Sequence, residues 1–464
     1  MDGFPDRSSI EQTLTVIQDR RPVTVPNVRA LLPTGAFRRI LVKPNWVKHQ
    51  EHDAFPIEAL VTSTDLIEAV VDACLECYPD VESITIGDVP LQSCDWARLH
   101  AQAGLDRLER KYGSREDVRI RILDLRKEKW RFDDGFMKLD SDVPGDPLGY
   151  VEVVLDEKSL LEEISRNARY FRVSDYDAQE TTSAHRSGDH RYLIARTVLE
   201  ADLVINLPKM KTHQKAGITG ALKNLVGING SKAFLVHHQR GFPARGGDEF
   251  PDDVPRLFYW QARLRELFQK RSALLFKAGK AGWEVVKRWR GIQTLGTREN
   301  LGGNFHVASG SWPGNDSIWR MVYDLNTILL FGRASGGPIA ERPQRAVVSI
   351  LDGVVSGEGN GPLQPLPVET DLLLASTNPF LVDLGMAKLM GFDWRRIRLL
   401  SEYRRFPHRA WRDFEPDGFR VVWNGQPRSG GVDAIETVRA FEPPPGWRRH
   451  IELDESMEKA RAGS

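Results

Sequence analysis

The sequence has little cysteine, no net charge and no long apolar run, and each shortage excludes a class of protein. Three cysteines in 464 residues (Cys74, Cys77 and Cys94) supply neither a disulfide framework nor the four thiolates of an iron–sulfur cluster. Lysine plus arginine and aspartate plus glutamate number 64 each, so the formal net charge is zero. A general nucleic-acid binder is basic overall, and no nucleic-acid partner is expected. No stretch approaches the ~18 consecutive apolar residues that a membrane span requires. The first thirty residues lack the basic start and apolar core of a secretory signal. Together with the cysteine usage, this predicts a cytoplasmic protein.

With 41% apolar and 28% charged residues, the chain has the composition of a folded protein, long enough for more than one domain. The pattern predicts an α/β protein of two lobes with Rossmann-like, mostly parallel sheets and a helical insertion. Residues 1–37 read as an irregular lead-in with one short helix. The first lobe spans 38–250 and opens with the apolar runs Arg39–Val42 and Ser83–Ile86, separated by a helix capped at Thr64-Asp65. A basic helical insertion spans 251–300. The second lobe, 301–405, contains a strand at Ala346–Leu351, a glycine-rich turn and a strand at Asp371–Ser376, and a tail follows from 406 to 464.

A local absence points to the working site. From Leu203 to Gly247 there is no aspartate or glutamate, where the chain average would place about six. The same window holds seven lysines or arginines and three histidines. It begins with an apolar strand, Asp202–Asn206, and continues into a loop carrying Lys209, Lys211, His213 and Lys215, a small-residue turn, and a helix carrying Lys223. A loop at the carboxyl end of a strand is where open α/β sheets bind ligands. Gly217, Thr219 and Gly220 are expected to bare backbone N–H groups to an anion at the helix start. The expected partner is a small anionic metabolite bearing carboxylate or phosphate. His213 and Lys223 are the candidate catalytic residues, His213 moving a proton and the lysines stabilising an enolate or oxyanion.

This segment, together with KPN at 43–45, GD at 87–88, SWPGNDSIWRMVYDLN at 311–326 and DGVVSGEGNGP at 352–362, resembles the family known as domain of unknown function 362. The ferredoxin-like cysteine insertion of many relatives is absent. The pattern His213-x-x-Ala-Gly-x-x-Gly-x-x-Lys223 also resembles the nickel-pincer lactate racemases more distantly, and that resemblance implies a similar fold. It further implies a histidine acid/base at His213, a lysine carrying the pincer nucleotide at Lys223, and a nickel-ligating histidine near His237-His238. Thr62-Ser63 stands where those enzymes contact substrate. Their second acid/base histidine has no counterpart, since Gly87-Asp88-Val89-Pro90 occupies its place. A nickel-pincer nucleotide is therefore not the expected cofactor, and the cofactor stays open, with a divalent metal as one alternative.

Other candidates surround this segment. Lys43 and Asn45, at the end of the first strand, are expected to contact the anion with Lys209 and Lys211. Asn315 precedes a helix and is either its cap or a ligand contact. Gly357, Gly359 and Asn360 lie in a stretch with four glycines in nine residues, which allows close approach to a ligand. It is not a dinucleotide fingerprint, because a proline-rich stretch follows in place of a helix. Asp88, Asp352, Glu358 and His238 are the candidate metal ligands. Cys74 and Cys77 fall on the apolar side of a helix and read as core residues. Residues 254–290 carry ten lysines or arginines against two glutamates, interleaved with aromatic residues, and could meet a membrane surface or a second copy of the chain. The function expected is an enzyme of isomerase, lyase or transferase type working by acid/base chemistry in a cleft between the lobes. The alternative is a non-catalytic anion-binding or accessory protein of a biosynthetic pathway, peripheral to the membrane.

Overall fold

The computed structural model describes residues 12–133, 136–173, 178–256, 259–260, 263 and 309–453. Short apolar runs, too brief for helices and rich in β-branched residues, pair into one sheet. Its strands are β1 (Thr13–Gln18), β2 (Arg39–Pro44), β3 (Ser83–Asp88), β4 (Arg119–Asp124), β5 (Leu203–Leu207), β6 (Lys209–His213), β7 (Gly217–Ile218), β8 (Ala346–Asn360), β9 (Gln364–Ser376), β10 (Arg420–Trp423) and β11 (Gln426–Arg428). The order is β11-β10-β1-β9-β8-β5-β2-β3-β4, with β6 beside β8 and β7 beside β6. Six of the ten pairings are parallel, including the run β8-β5-β2-β3-β4. The chain is thus mixed α/β with a mostly parallel sheet, and the two lobes expected from the sequence share that sheet. They meet where Leu203–Asn206 of β5 lies against Ala346–Ser349 of β8.

Helices cover both faces, which is why the interior strands are apolar throughout. In β5, Leu203, Ile205 and Leu207 pack on one side with Leu66, Ile67, Val70, Val71 and Cys74 of helix α1 (Thr64–Cys77). Val204 points the other way. It joins the core built by α2 (Ala221–Asn224), α3 (Ile318–Phe331) and α4 (Pro379–Leu389). This two-residue alternation also decides where the polar ends of the strands go. The cap of α1 is Ser63, one residue earlier than the sequence suggested, with its hydroxyl accepting from the Asp65 N–H at 3.2 Å.

Two segments differ from their sequence reading. The lead-in supplies β1, an interior strand between β9 and β10, so residues near both ends of the chain close one side of the sheet. The glycine-rich stretch after Asp352 is a strand: β8 and β9 form a long hairpin whose pairing runs to Asn360 opposite Gln364. Gly357 and Gly361 serve packing, while Gly359, at a φ of 73°, supplies left-handed backbone. A Cβ on Gly357 would stand 2.6 Å from the Pro365 side chain and 3.0 Å from that of Lys211, and one on Gly361 would stand 2.1 Å from the Thr212 carbonyl oxygen. Glycine is needed because β6 crosses the hairpin at backbone distance.

Most of the basic stretch 254–290 lies outside the described residues, and with it the expected helical insertion. Among the described residues no helix is long and apolar enough to cross a membrane.

Candidate functional site

The Lys/His segment is a buried strand. Pro208 separates β5 from β6, and β6 continues alongside the second half of β8, with Lys209 opposite Asp352 and Lys211 opposite Gly357. All five residues of β6 are buried. Such burial of lysine requires a partner or a shift towards the neutral amine, and both solutions occur.

Lys43 and Lys209 take the first. Lys43 Nζ donates to Asp88 Oδ1 at 2.6 Å and also to the Pro44 carbonyl and Asn224 Oδ1. Asp88 accepts in addition from the backbone N–H groups of Trp46 and Val89. Gly227 closes over this pair so tightly that a Cβ there would lie 2.0 Å from Asp88 Oδ1. Lys209 Nζ donates to Asp352 Oδ2 at 2.9 Å, and the same oxygen accepts from the Ser63 N–H.

An amide chain links these strand ends. Asn45 Nδ2 donates to Asn224 Oδ1, Asn224 Nδ2 donates to Asn206 Oδ1, and Asn206 Nδ2 donates to the Ala221 carbonyl. The Thr62 hydroxyl accepts from the Asn45 N–H and donates to the Leu207 carbonyl. The network fixes α2, and with it the backbone of Lys223.

Lys211, Lys223 and Lys232 take the second solution. Lys211 Nζ donates to the Leu60 carbonyl at 2.5 Å and Lys232 Nζ to that of Val89 at 3.1 Å. Burial pushes Lys211 well below the usual lysine range, and burial above all pushes Lys232 down to about 8. Lys223 has neither a carboxylate nor a hydrogen-bond partner among the described residues. Burial, then the charges of Lys232, Lys215 and Lys43, lower it to about 7. His213 is lowered well below the ordinary histidine value by burial and by Lys223, Lys215, His237 and Lys211. Its Nδ1 accepts the N–H groups of Lys215 and Ala216 at 3.0 and 3.3 Å. The neutral ring therefore carries its proton on Nε2.

Of the adjacent histidines, His237 shares the field of His213 and Lys223. His238 feels Lys215, His237, Arg172 and Arg263 instead. His237 Nδ1 is buried without a partner. The structure therefore gathers Lys211, His213, Lys223, Lys232 and His237 into one cluster of basic side chains, with the Lys43–Asp88 and Lys209–Asp352 pairs beside it.

The helix start offered to an anion by the sequence is already filled from within. Asp383, from α4, accepts the N–H groups of Ala221 at 2.5 Å and Leu222 at 3.0 Å. Burial raises its carboxyl to about 7 despite these bonds. A Cβ on Gly220 would lie 2.0 Å from Asp383 Oδ1, so glycine here admits the chain's own carboxylate. Asp383→Ala leaves two buried donors unsatisfied and is expected to cost about 1–3 kcal/mol. Added formate should recover part of that loss in thermal melts, by occupying the vacated position. Equal formate effects on the wild type and the variant would refute this placement.

The remaining candidates are engaged within the chain. Asn315 Oδ1 accepts the N–H groups of Ser317 and Ile318 at the start of α3, and its Nδ2 donates to the His237 carbonyl. It thus positions the histidine segment. Gly357 packs on Lys211, the Gly359 carbonyl accepts from the Thr212 hydroxyl, and Asn360 bonds Gln364. Glu358 pairs with Arg439 at 3.3 Å and accepts from the Glu442 N–H. Asp88, Asp352, Glu358 and His238 do not converge as one metal-ligand group. Among the described residues the group with that spacing is His100, Asp106 and Glu109, elsewhere on the surface.

Sequence reasoning passed over Asn206, Asn224, Lys232 and Asp383. Asp383 left a trace, as the sole acid in the apolar helix PFLVDLGMAKL. The position where a racemase needs its second histidine holds Asp88, locked to Lys43. The residues therefore do not fit that cofactor's two-base chemistry.

No curated protein matches the chain. A crystal structure of a protein from Thermotoga maritima aligns at 11% identity over 76% of this chain and 55% of that one, so this chain spans about half of its length. The TM-score is 0.28, a likeness that bears on neither fold nor function. The family described as "Domain of unknown function (DUF362)" matches residues 156–388, half of the sequence, including β5 to β7, α2, α3 and the β8–β9 hairpin. The region that carries the Lys/His cluster is thus the region that defines the family, and the chain belongs to it.

Proposed function

We propose that this protein is an enzyme that binds a small carboxylate- or phosphate-bearing metabolite at the Lys/His cluster and carries out acid/base chemistry of isomerase, lyase or transferase type. The observation that carries this reading is Lys223, a buried amine with no acid beside it among the described residues, next to a neutral His213. Uncompensated buried cations are costly, and an anionic ligand offsets that cost by completing the charge balance. Lys232, whose amine at about 8 stays largely protonated at neutral pH, provides positive charge for the ligand's anionic group. Lys223 has a free lone pair near neutral pH and His213 an Nε2–H, so a proton can pass between this pair and the ligand. The reading includes a reducing, cytoplasmic setting, supported by three free cysteines.

Thermal melts in phosphate, malonate and pyruvate test it. A bound anion at a hundredfold excess over its Kd is expected to add about 2.7 kcal/mol. Lys232→Met should lose most of that gain. Identical stabilisation of the variant would reduce the effect to nonspecific salting and sink the reading.

A further inference from the structure

We propose that Lys223 is an imine-forming residue whose amine adds to the carbonyl carbon of a small anionic aldehyde or 2-oxo acid. The inference rests on the anion-binding reading and names the substrate class of that same site. Four neighbouring buried lysines have their amines engaged: Lys43 with Asp88, Lys209 with Asp352, Lys211 with the Leu60 carbonyl and Lys232 with the Val89 carbonyl. Among the described residues Lys223 is the exception. Its backbone is nevertheless held on both sides, by Asp383 at Ala221 and Leu222 and by the amide network at Asn224. An amine carried on an anchored backbone, with an open lone pair, is a nucleophile wherever carbon is offered to it.

The surroundings suit the step. The lone pair of Lys223 forms the N–C bond as the carbonyl π pair moves to oxygen. His213 Nε2–H, fixed as a donor by the two N–H groups on Nδ1, is suited to stabilise that oxygen. One proton moves from nitrogen to oxygen to give the carbinolamine. The hydroxyl then leaves with the second nitrogen proton as water, and the nitrogen pair closes the C=N bond. One amine and one carbonyl give one imine and one water, with no oxidant or reductant. The ligand's carboxylate or phosphate faces Lys232, which keeps most of its charge at neutral pH, and this selects anionic carbonyls over neutral ones.

The full chain should be incubated with pyruvate, glyoxylate or neutral acetone, reduced with sodium borohydride, and analysed by intact mass and peptide mapping. One adduct per chain at Lys223 is expected with the anionic probes, roughly tenfold or more above acetone, and none in Lys223→Arg. Lys223→Met, expected to be more stable than the wild type, serves if Lys223→Arg does not fold. Adducts scattered over surface lysines, or equal labelling by acetone, would overturn the proposal. If pyruvate stabilises the wild type but leaves no adduct, imine formation fails and anion binding stands. If neither occurs, the anion-binding reading fails with it.

Discussion

Replacing Lys223 by methionine is expected to stabilise the folded protein at neutral pH and to abolish anion binding. Methionine has nearly the same length and volume, so packing changes little, while the ionisable group disappears. The amine falls from 10.5 to about 7 on folding, which sets a ceiling of about 5 kcal/mol on the penalty that folding imposes on the wild type. The sign follows from proton binding. Between about pH 7 and 10.5 the unfolded chain holds this proton and the folded chain does not, so wild-type stability rises with pH across that window. Below pH 7 the folded state carries the buried charge and the penalty is complete. Above 10.5 both states are neutral and the penalty is gone. The advantage of the methionine variant should therefore be largest at pH 6–7 and shrink towards pH 10. Denaturant unfolding of both proteins at three pH values measures it. An advantage that grows with pH, or none at pH 7, contradicts the assignment. A site that weakens the fold it sits in is expected where function depends on an unpaired charge.

The acid-free window from Leu203 to Gly247 marked the site in the sequence because uncompensated charge is a property of composition. The central strands were legible for a similar reason. Runs such as LVINL have no exposed face, so apolarity alone identifies them. What stayed hidden were partnerships. Lys209 meets Asp352 across 143 positions and Lys43 meets Asp88 across 45, so the lysines of β6 read as a loop that contacts an anion. Asp383 reaches the start of α2 across more than 160 positions, which turned an expected ligand cradle into an internal cap. The glycines of β8 look like a turn because glycine signals both conformational freedom and close packing. The close approach of β6 decides for packing at Gly357, and a φ of 73° decides for freedom at Gly359. Nor could spacing show which ring nitrogen of His213 bears the proton, since that depends on two backbone N–H groups aimed at Nδ1.

Asp88→Ala is expected to do the opposite of the Lys223 substitution and to destabilise the fold by about 3–5 kcal/mol, the range for a buried pair that loses one partner. The lysine left behind sits at 1% exposure, and burial pushes it towards the neutral amine once its carboxylate is gone. The N–H of Trp46 loses its acceptor as well. Asp88→Asn keeps an acceptor oxygen and should cost less. If the loss comes mainly from stranding the lysine charge, Lys43→Met combined with Asp88→Asn should be more stable than Asp88→Ala, because no uncompensated charge remains. A cycle of the single and double variants gives the coupling, expected at about 0.5–3 kcal/mol for residues in contact. Additive single effects would mean that the two residues act independently despite their 2.6 Å contact. The opposed signs at Asp88 and Lys223 separate two uses of buried charge in one cluster. Lys43 and Lys209 are closed by their own carboxylates and hold strand ends together. Among the described residues Lys223 is left open, and under the proposed function its balancing charge arrives with a ligand.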